Sequence, residues 1–258
     1  MRAGFNPTRR NRNIGTAKQG HGQNNQLVIP SICYAERSWE LQLKAHSRHH
    51  RTVAGRSLLF LVENLTPNFQ HACSIDDVCQ MLEFVPKPDW GEIGCFILRQ
   101  PTLKQQKERP AWGRMFYYGC VGRPNQPDTY TGPLIILEAQ NWARSIKWSL
   151  SLLPEDVKEL QRLEADGHSI SRSGRSIEVC STQKSVRATQ LFRTLLHEIG
   201  HWHDYQQRVE SPSADPDSDY GELTDAYFAR PSQEREAYAH RYADRLQLTL
   251  QENGSIPF

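Results

Sequence analysis

The sequence predicts an α+β fold: a small, mostly antiparallel sheet packed against one long helix, with a C-terminal helix closing beside it. Three observations carry this. Short segments rich in β-branched and aromatic residues gather between residues 92 and 139. The chain after them is patterned largely at helical period, and its long helix, about Val186 to Arg208, keeps an apolar strip on one side. Strands followed by helices suit helices layered on a sheet face.

Local signals set the element order. Residues 33–45, CYAERSWELQLKA, space their apolar positions helically and contain no Gly or Pro, which predicts a first helix. RSLLFLVENL (56–65) is a second apolar segment whose pattern fits a helix or a buried strand. Ser74, with Asp77 three residues on, forms a capping pair that opens a short helix through IDDVCQMLEF, broken by PKPDWG. EIGCFILR (92–99), RMFYYGCV (114–121) and PLIILEA (133–139) predict three strands of one sheet. Pro154, followed by Glu155 and Asp156, starts a helix that Gly167 ends. SIEVCS (176–181) predicts a further strand. The long helix follows, then ESPSADPDSDYGEL as a polar loop, then a last helix at about 233–251.

Composition narrows the class. At 258 residues, with 23% charged and 38% hydrophobic residues, the chain suits a globular protein with a sizeable core. Its longest apolar run, SLLFLV at 57–62, is too short to cross a bilayer, so no membrane partner is expected. The net charge is only +2, but Arg2, Arg9, Arg10, Arg12 and Lys18 precede the first acid, Glu36. Residues 1–26 hold too little apolar surface to offset the entropy of ordering them and predict a disordered basic arm. Such an arm is a weak pointer to nucleic acid. The arm lacks the apolar core of a secretory signal, and none of the six cysteines forms a CxxC pair. Reduced core cysteines and a cytoplasmic location are expected. The rest divides into an N-terminal α+β region, 27–130, and a region 131–258 that bears the long helix, or the two form one domain.

The chemistry concentrates in TLLHEIGHWHDY, residues 194–205. At about 100° per residue, Leu191, Leu195, Ile199 and Trp202 fall in one arc, which Phe192 and Leu196 extend. His197 and His201 stand one turn apart, away from the centre of that arc, where both imidazoles can reach one ion at about 2.0–2.1 Å. Glu198 is rotated by about 100° from His197 and is set to reach a water rather than the ion. Two neutral nitrogens for zinc and a carboxylate for a proton are the physical content of HExxH. Gly200 leaves the helix bare beside that site.

A catalytic zinc needs a third protein ligand and an open position. Six residues after His201, where a metzincin has its third histidine, stands Gln207. The last helix, PSQEREAYAHRYADRL, offers Glu234 and Glu236 in its first turns, Ser232 as its cap, and small Ala237 and Ala239 for a close helix approach. Asp204, Glu222 and Asp225 are rival ligands. His240, one turn after Glu236, is a candidate contact for a substrate oxyanion, as are Tyr238, Arg241 and Tyr242.

HEIGH on one helix, with E-R-E-A opening a later one, resembles the compact gluzincin (HExxH…E) zinc metallopeptidases, in particular the ImmA/IrrE-like group. The resemblance covers about residues 185–246. It implies that His197, His201 and Glu236 bind Zn2+, that Glu198 is the general base, and that a protein or peptide is the substrate. Where that family continues E-A-N-x-F-A, this chain runs from Glu236-Ala237 into YAHRYA, and 236 − 201 = 35 positions separate the second histidine from the glutamate. The function expected is zinc-dependent hydrolysis of peptide bonds. The alternative is a regulatory or nucleic-acid-associated protein on the same scaffold, with narrow or no proteolysis.

Weaker features have plainer readings. HSRHH (46–50) reads as a solvated basic patch. YTGPLIILEAQ reads as a structural strand, or as an edge strand able to pair with an extended peptide. The Trp and Tyr residues of 112–148 read as core, and the acidic stretch 210–222 as a lid.

Overall fold

The computed structural model describes residues 41–108, 110–122, 128–174 and 176–258. The expected arm, 1–26, Cys33 and most of the expected first helix lie outside them. The described end of that helix, residues 41–45, is not helical and leads into a strand.

β1 (His46–Val53) and β2 (Arg56–Glu63) form an antiparallel hairpin. Its two-residue turn, Ala54 and Gly55, has φ of 48° and 76°, the left-handed pair that matches strand twist. HSRHH is therefore an edge strand, and only Val53 of β1 is buried. β2 lies between β1 and β3, so the apolar run of 58–61 is buried on both faces. That decides between strand and helix where the pattern did not. The Ser74 hydroxyl accepts from the Asp77 amide at 3.0 Å, and the Asp77 carboxylate accepts from the Ser74 amide at 2.8 Å. This box opens α1 (Ile75–Phe84). PKPDWG then makes one helical turn of its own, α2 (Lys87–Trp90).

β3 (Cys95–Arg99), α3 (Leu103–Glu108), β4 (Gly113–Val121) and β5 (Tyr130–Glu138) complete the first sheet. Its order is β1-β2-β3-β5-β4. The two outer pairings are antiparallel, but β2–β3 and β3–β5 are parallel. The sheet is mixed because the chain crosses over through α1 and α2 to reach β3, and a crossover returns a parallel strand. β5 pairs on both sides and is no edge; β4 holds that place. A second sheet, β6 (Ile146–Ser149), β8 (Ser176–Cys180) and β7 (Ser169–Ser173), is wholly antiparallel, and α4 (Pro154–Ala165) packs on it. Pro154 is in the first turn of α4, and Gly167 takes φ of 93° just past its end, where a left-handed residue is needed.

The long helix is α5 (Gln183–Arg187), a π segment (Ala188–Thr194), α6 (Leu195–Tyr205) and a second π segment (Gln206–Glu210). The polar stretch after it is shorter than expected. From Tyr220 it becomes α7 (Tyr220–Ala229), capped by the Asp219 carboxylate on the Glu222 amide at 2.9 Å. α8 (Ser232–Glu252) follows; Pro231, not Ser232, holds its cap position, without a side-chain bond.

One sheet face, with Phe60, Phe96, Ile135 and Leu137, packs on Leu191, Leu195, Ile199 and Trp202 and on Leu250. This core joins residues from both sides of 130, so the described parts of 27–130 and 131–258 share it. The other face buries Leu59, Leu61, Ile97 and Ile136. Cys73, Cys95 and Cys120 are buried and unpaired, as core cysteines should be; Cys79 is half-buried and Cys180 exposed. Among the described residues no helix is long and apolar enough to cross a membrane.

α6 and α8 cross at Gly200 and Ala239. A Cβ on Gly200 would stand 3.1 Å from the Ala239 Cα, from its carbonyl oxygen and from the Tyr242 Cβ. The bare face of Gly200 thus serves helix packing, not the approach of a substrate. Gly200→Leu should lower the unfolding free energy by about 2–3 kcal/mol through overpacking. Gly200→Ala should stay within about 1 kcal/mol, since its helix propensity offsets a small adjustment. Urea denaturation of the two variants checks both values.

Candidate metal centre

Leu195, Ile199 and Trp202 hold α6 against the sheet and leave His197 and His201 on the opposite side. The crossing with α8 then sets Glu236 over them. The Nε2 atoms of His197 and His201 lie 3.2 Å and 3.5 Å from the Glu236 carboxylate. All three ligand atoms fall within 4.8 Å of one another. With bonds of about 2.0–2.1 Å, a tetrahedral ion would space its ligands by about 3.3–3.4 Å, which the two distances bracket. Two imidazole nitrogens and one carboxylate oxygen also suit a divalent ion in their chemistry. The Nδ1 atoms of both histidines are buried and have no hydrogen-bond partner among the described residues. Packing orients these rings, including an edge contact between them with centroids 4.6 Å apart.

Electrostatics keeps the carboxylate charged. Hydrogen bonds from His197 and His201 hold Glu236 far below the usual carboxylate range, against the opposing effect of its burial. Burial would lower the pKa of His201, but the Glu236 bond and the charges of Glu198 and Glu236 outweigh it and raise the value. A cation bound there would displace protons from the rings.

Two cavities flank the group. The smaller, about 180 Å³, is lined by Trp112, Glu159, Arg193 and His240. The larger, about 500 Å³, is lined by Arg114, Met115, Tyr117, His201 and Arg235. Gly113, His197, Glu198 and Glu236 line both. Glu198 is 7% exposed and makes no hydrogen bond or ion pair among the described residues. Gly113, the first residue of edge strand β4, lets the strand lie on the helix: a Cβ there would stand 2.7 Å from the Thr194 Cγ2. The π segment makes the same junction from its side. Buried Gln190 donates through Nε2 to the carbonyls of Glu138 at 2.6 Å and Trp112 at 3.0 Å.

The rival ligands lie elsewhere. Asp204 is buried and accepts from Arg208 Nε at 2.8 Å and Arg230 Nη1 at 2.9 Å, which ties the end of α6 to the α7–α8 junction. Glu222 and Asp225 are exposed on α7. Glu234 pairs with Arg230 at 3.6 Å. His240 does reach the site: its ring centroid lies 4.4 Å from that of His197. Burial and the neighbouring His197 push its pKa down to about 3, so the ring is neutral. The Tyr238 hydroxyl bonds His203, and the Tyr242 hydroxyl donates to Asp89 at 2.6 Å. Neither tyrosine lines the two cavities, nor does exposed Arg241 or any residue of 210–222. Sequence reasoning missed Arg235, although it stands inside E-R-E-A; Tyr117 and Trp112, read as core, do pack against core clusters and also line the cavities.

The chain matches no family model, no curated protein and no solved structure. Its own geometry defines a His-His-Glu group, on two crossing helices, that could hold a metal ion. Replacing Asp204 tests its exclusion from that group. Asp204→Ala should lower stability by about 2 kcal/mol, from the loss of charged hydrogen bonds, with metal uptake intact. Urea unfolding and elemental analysis of the same sample read both; loss of metal would return Asp204 to the ligand set.

Proposed function

We propose that the protein is a zinc-dependent metallopeptidase of the HExxH gluzincin type. His197, His201 and Glu236 hold Zn2+, and Glu198 is the general base. The observation that carries this reading is the convergence of the two Nε2 atoms on a carboxylate 35 positions further along the chain, 236 − 201. A fourth group, Glu198, faces the same space without a partner among the described residues.

Zinc held by two imidazoles and a carboxylate supplies a Lewis acid that polarises a carbonyl and lowers the pKa of water. Glu198 is placed to take the proton of the attacking water and return it to the leaving amine. Neutral His240 can donate to an oxyanion from the smaller cavity. β4 gives the substrate its track. The strand pairs only with β5 among the described strands, and its other edge is the one assigned to an extended peptide. YTGPLIILEAQ (130–140) is thus the structural strand of its two readings, and the edge is β4.

The test is digestion of a peptide library by zinc-loaded protein, with new termini read by mass spectrometry. Wild type should cleave, and Glu198→Gln should lose about 10²–10⁴ in rate while keeping its metal. Equal cleavage by the two would remove Glu198 as the base, and none by zinc-loaded wild type would favour the non-proteolytic scaffold.

A further inference from the structure

The arginines around the metal centre are each held by a carboxylate, with one exception. Arg114 bonds Glu138 at 3.4 Å. Arg193 bonds Asp166 at 2.8 Å and Glu159 at 3.0 Å. Arg230 bonds Asp204 at 2.9 Å. Arg235 has no hydrogen bond and no ion pair among the described residues, and its Nε is buried without an acceptor. Aromatic faces hold it instead. Its guanidinium carbon lies 5.7 Å from the Tyr227 ring centroid and 5.4 Å from that of Phe228. Stacking fixes the plane of a guanidinium and leaves the N–H groups on its rim free for a planar, two-oxygen acceptor.

Its position gives that vacancy a meaning. Arg235 immediately precedes Glu236 on α8 and lines the larger cavity together with His201, Glu198 and Tyr117. Of the two carboxylates on that cavity, Glu236 is engaged by the histidines. A cation in a half-buried setting, beside the expected point of cleavage, calls for an anion brought by the substrate.

We propose that Arg235 is the specificity-determining residue of the larger cavity and clamps a substrate carboxylate. The peptide would carry an acidic side chain, or its own C-terminal carboxylate, next to the bond to be cleaved. This rests on the metallopeptidase reading, which supplies the anchor for the peptide. The two carboxylate sources share one chemistry but differ in outcome: the first makes an endopeptidase with an acidic preference, the second a carboxypeptidase.

Two pairs of hydroxamate-capped peptides separate them. The first pair is leucyl-glutamate amide against leucyl-glutamine amide, and the second is leucyl-leucine with a free against an amidated C-terminus. Dissociation constants are measured by calorimetry on zinc-loaded full-length protein. In one pair the carboxylate form should bind about 10- to 100-fold tighter than its amide, the range of a charge-assisted pair, and the pair that shows it names the source. In Arg235→Met, which keeps an apolar stem on the rings, that ratio should fall to about 1; in Arg235→Lys it should fall partway. A wild-type ratio near 1 in both pairs, or a preference that survives in Arg235→Met, overturns the proposal. Metal content of the same samples separates this from failure of the metal reading. If the protein takes up no zinc, the ratios are read on the N-acetylated peptides, and equal values for wild type and Arg235→Met overturn the carboxylate site as well.

Discussion

Gly200 and Ala239 meet where α6 and α8 cross, so closely that a Cβ on Gly200 would already press on Ala239 and Tyr242 at 3.1 Å. Everything chemical in the molecule depends on that crossing. His197 and His201 come from one helix and Glu236 from the other, so their separation of 3.2–3.5 Å is set by how closely the two backbones approach. Glycine on one side and alanine on the other make the approach possible. Tyr242, buried one turn beyond Ala239, bonds Asp89 on α2 and pins α8 to the N-terminal part of the chain.

The sheet contributes the other half of the site. Its buried face fixes the apolar strip of α6, which turns the histidines outward, and edge strand β4 is drawn onto the helix at Gly113. Gln190, inside the wide π turn that precedes α6, bonds the carbonyls at the start of β4 and the end of β5. A π turn widens the helix by taking an extra residue into its hydrogen-bonded loop, a feature common near functional sites. Here it couples the position of the metal group to the strand that would carry a substrate.

Much of this could be read in the sequence, where local physics governs. The capping box at Ser74, the terminator at Gly167, the strands at 92–99, 114–121 and 133–139 and the HExxH helix all follow from short-range patterns. What could not be read depends on long-range contact. α7 was hidden because its residues form only a weakly amphipathic pattern behind a Pro/Ser/Asp run. YTGPLIILEAQ (130–140) stayed open between a structural and an edge strand because pairing order is invisible in one strand; the structure sets it inside the sheet, with β4 at the edge. Asp204 shares a helix face with the histidines in sequence, yet Arg230, 26 positions on, captures it. Gly200 could be read only as a bare stretch of helix beside the site, and α8 covers it. Glu236 was legible only as a carboxylate in a favourable first turn; the crossing brings it to the histidines.

The most direct test of the account is zinc content per chain, by elemental analysis, in wild type, His197→Ala and Glu236→Ala after equilibration with added zinc. The proposed site predicts about one zinc in wild type and loss in both variants. Zinc retained in Glu236→Ala would contradict the three-ligand set, and its absence from wild type would remove the metal centre on which the proposed chemistry stands.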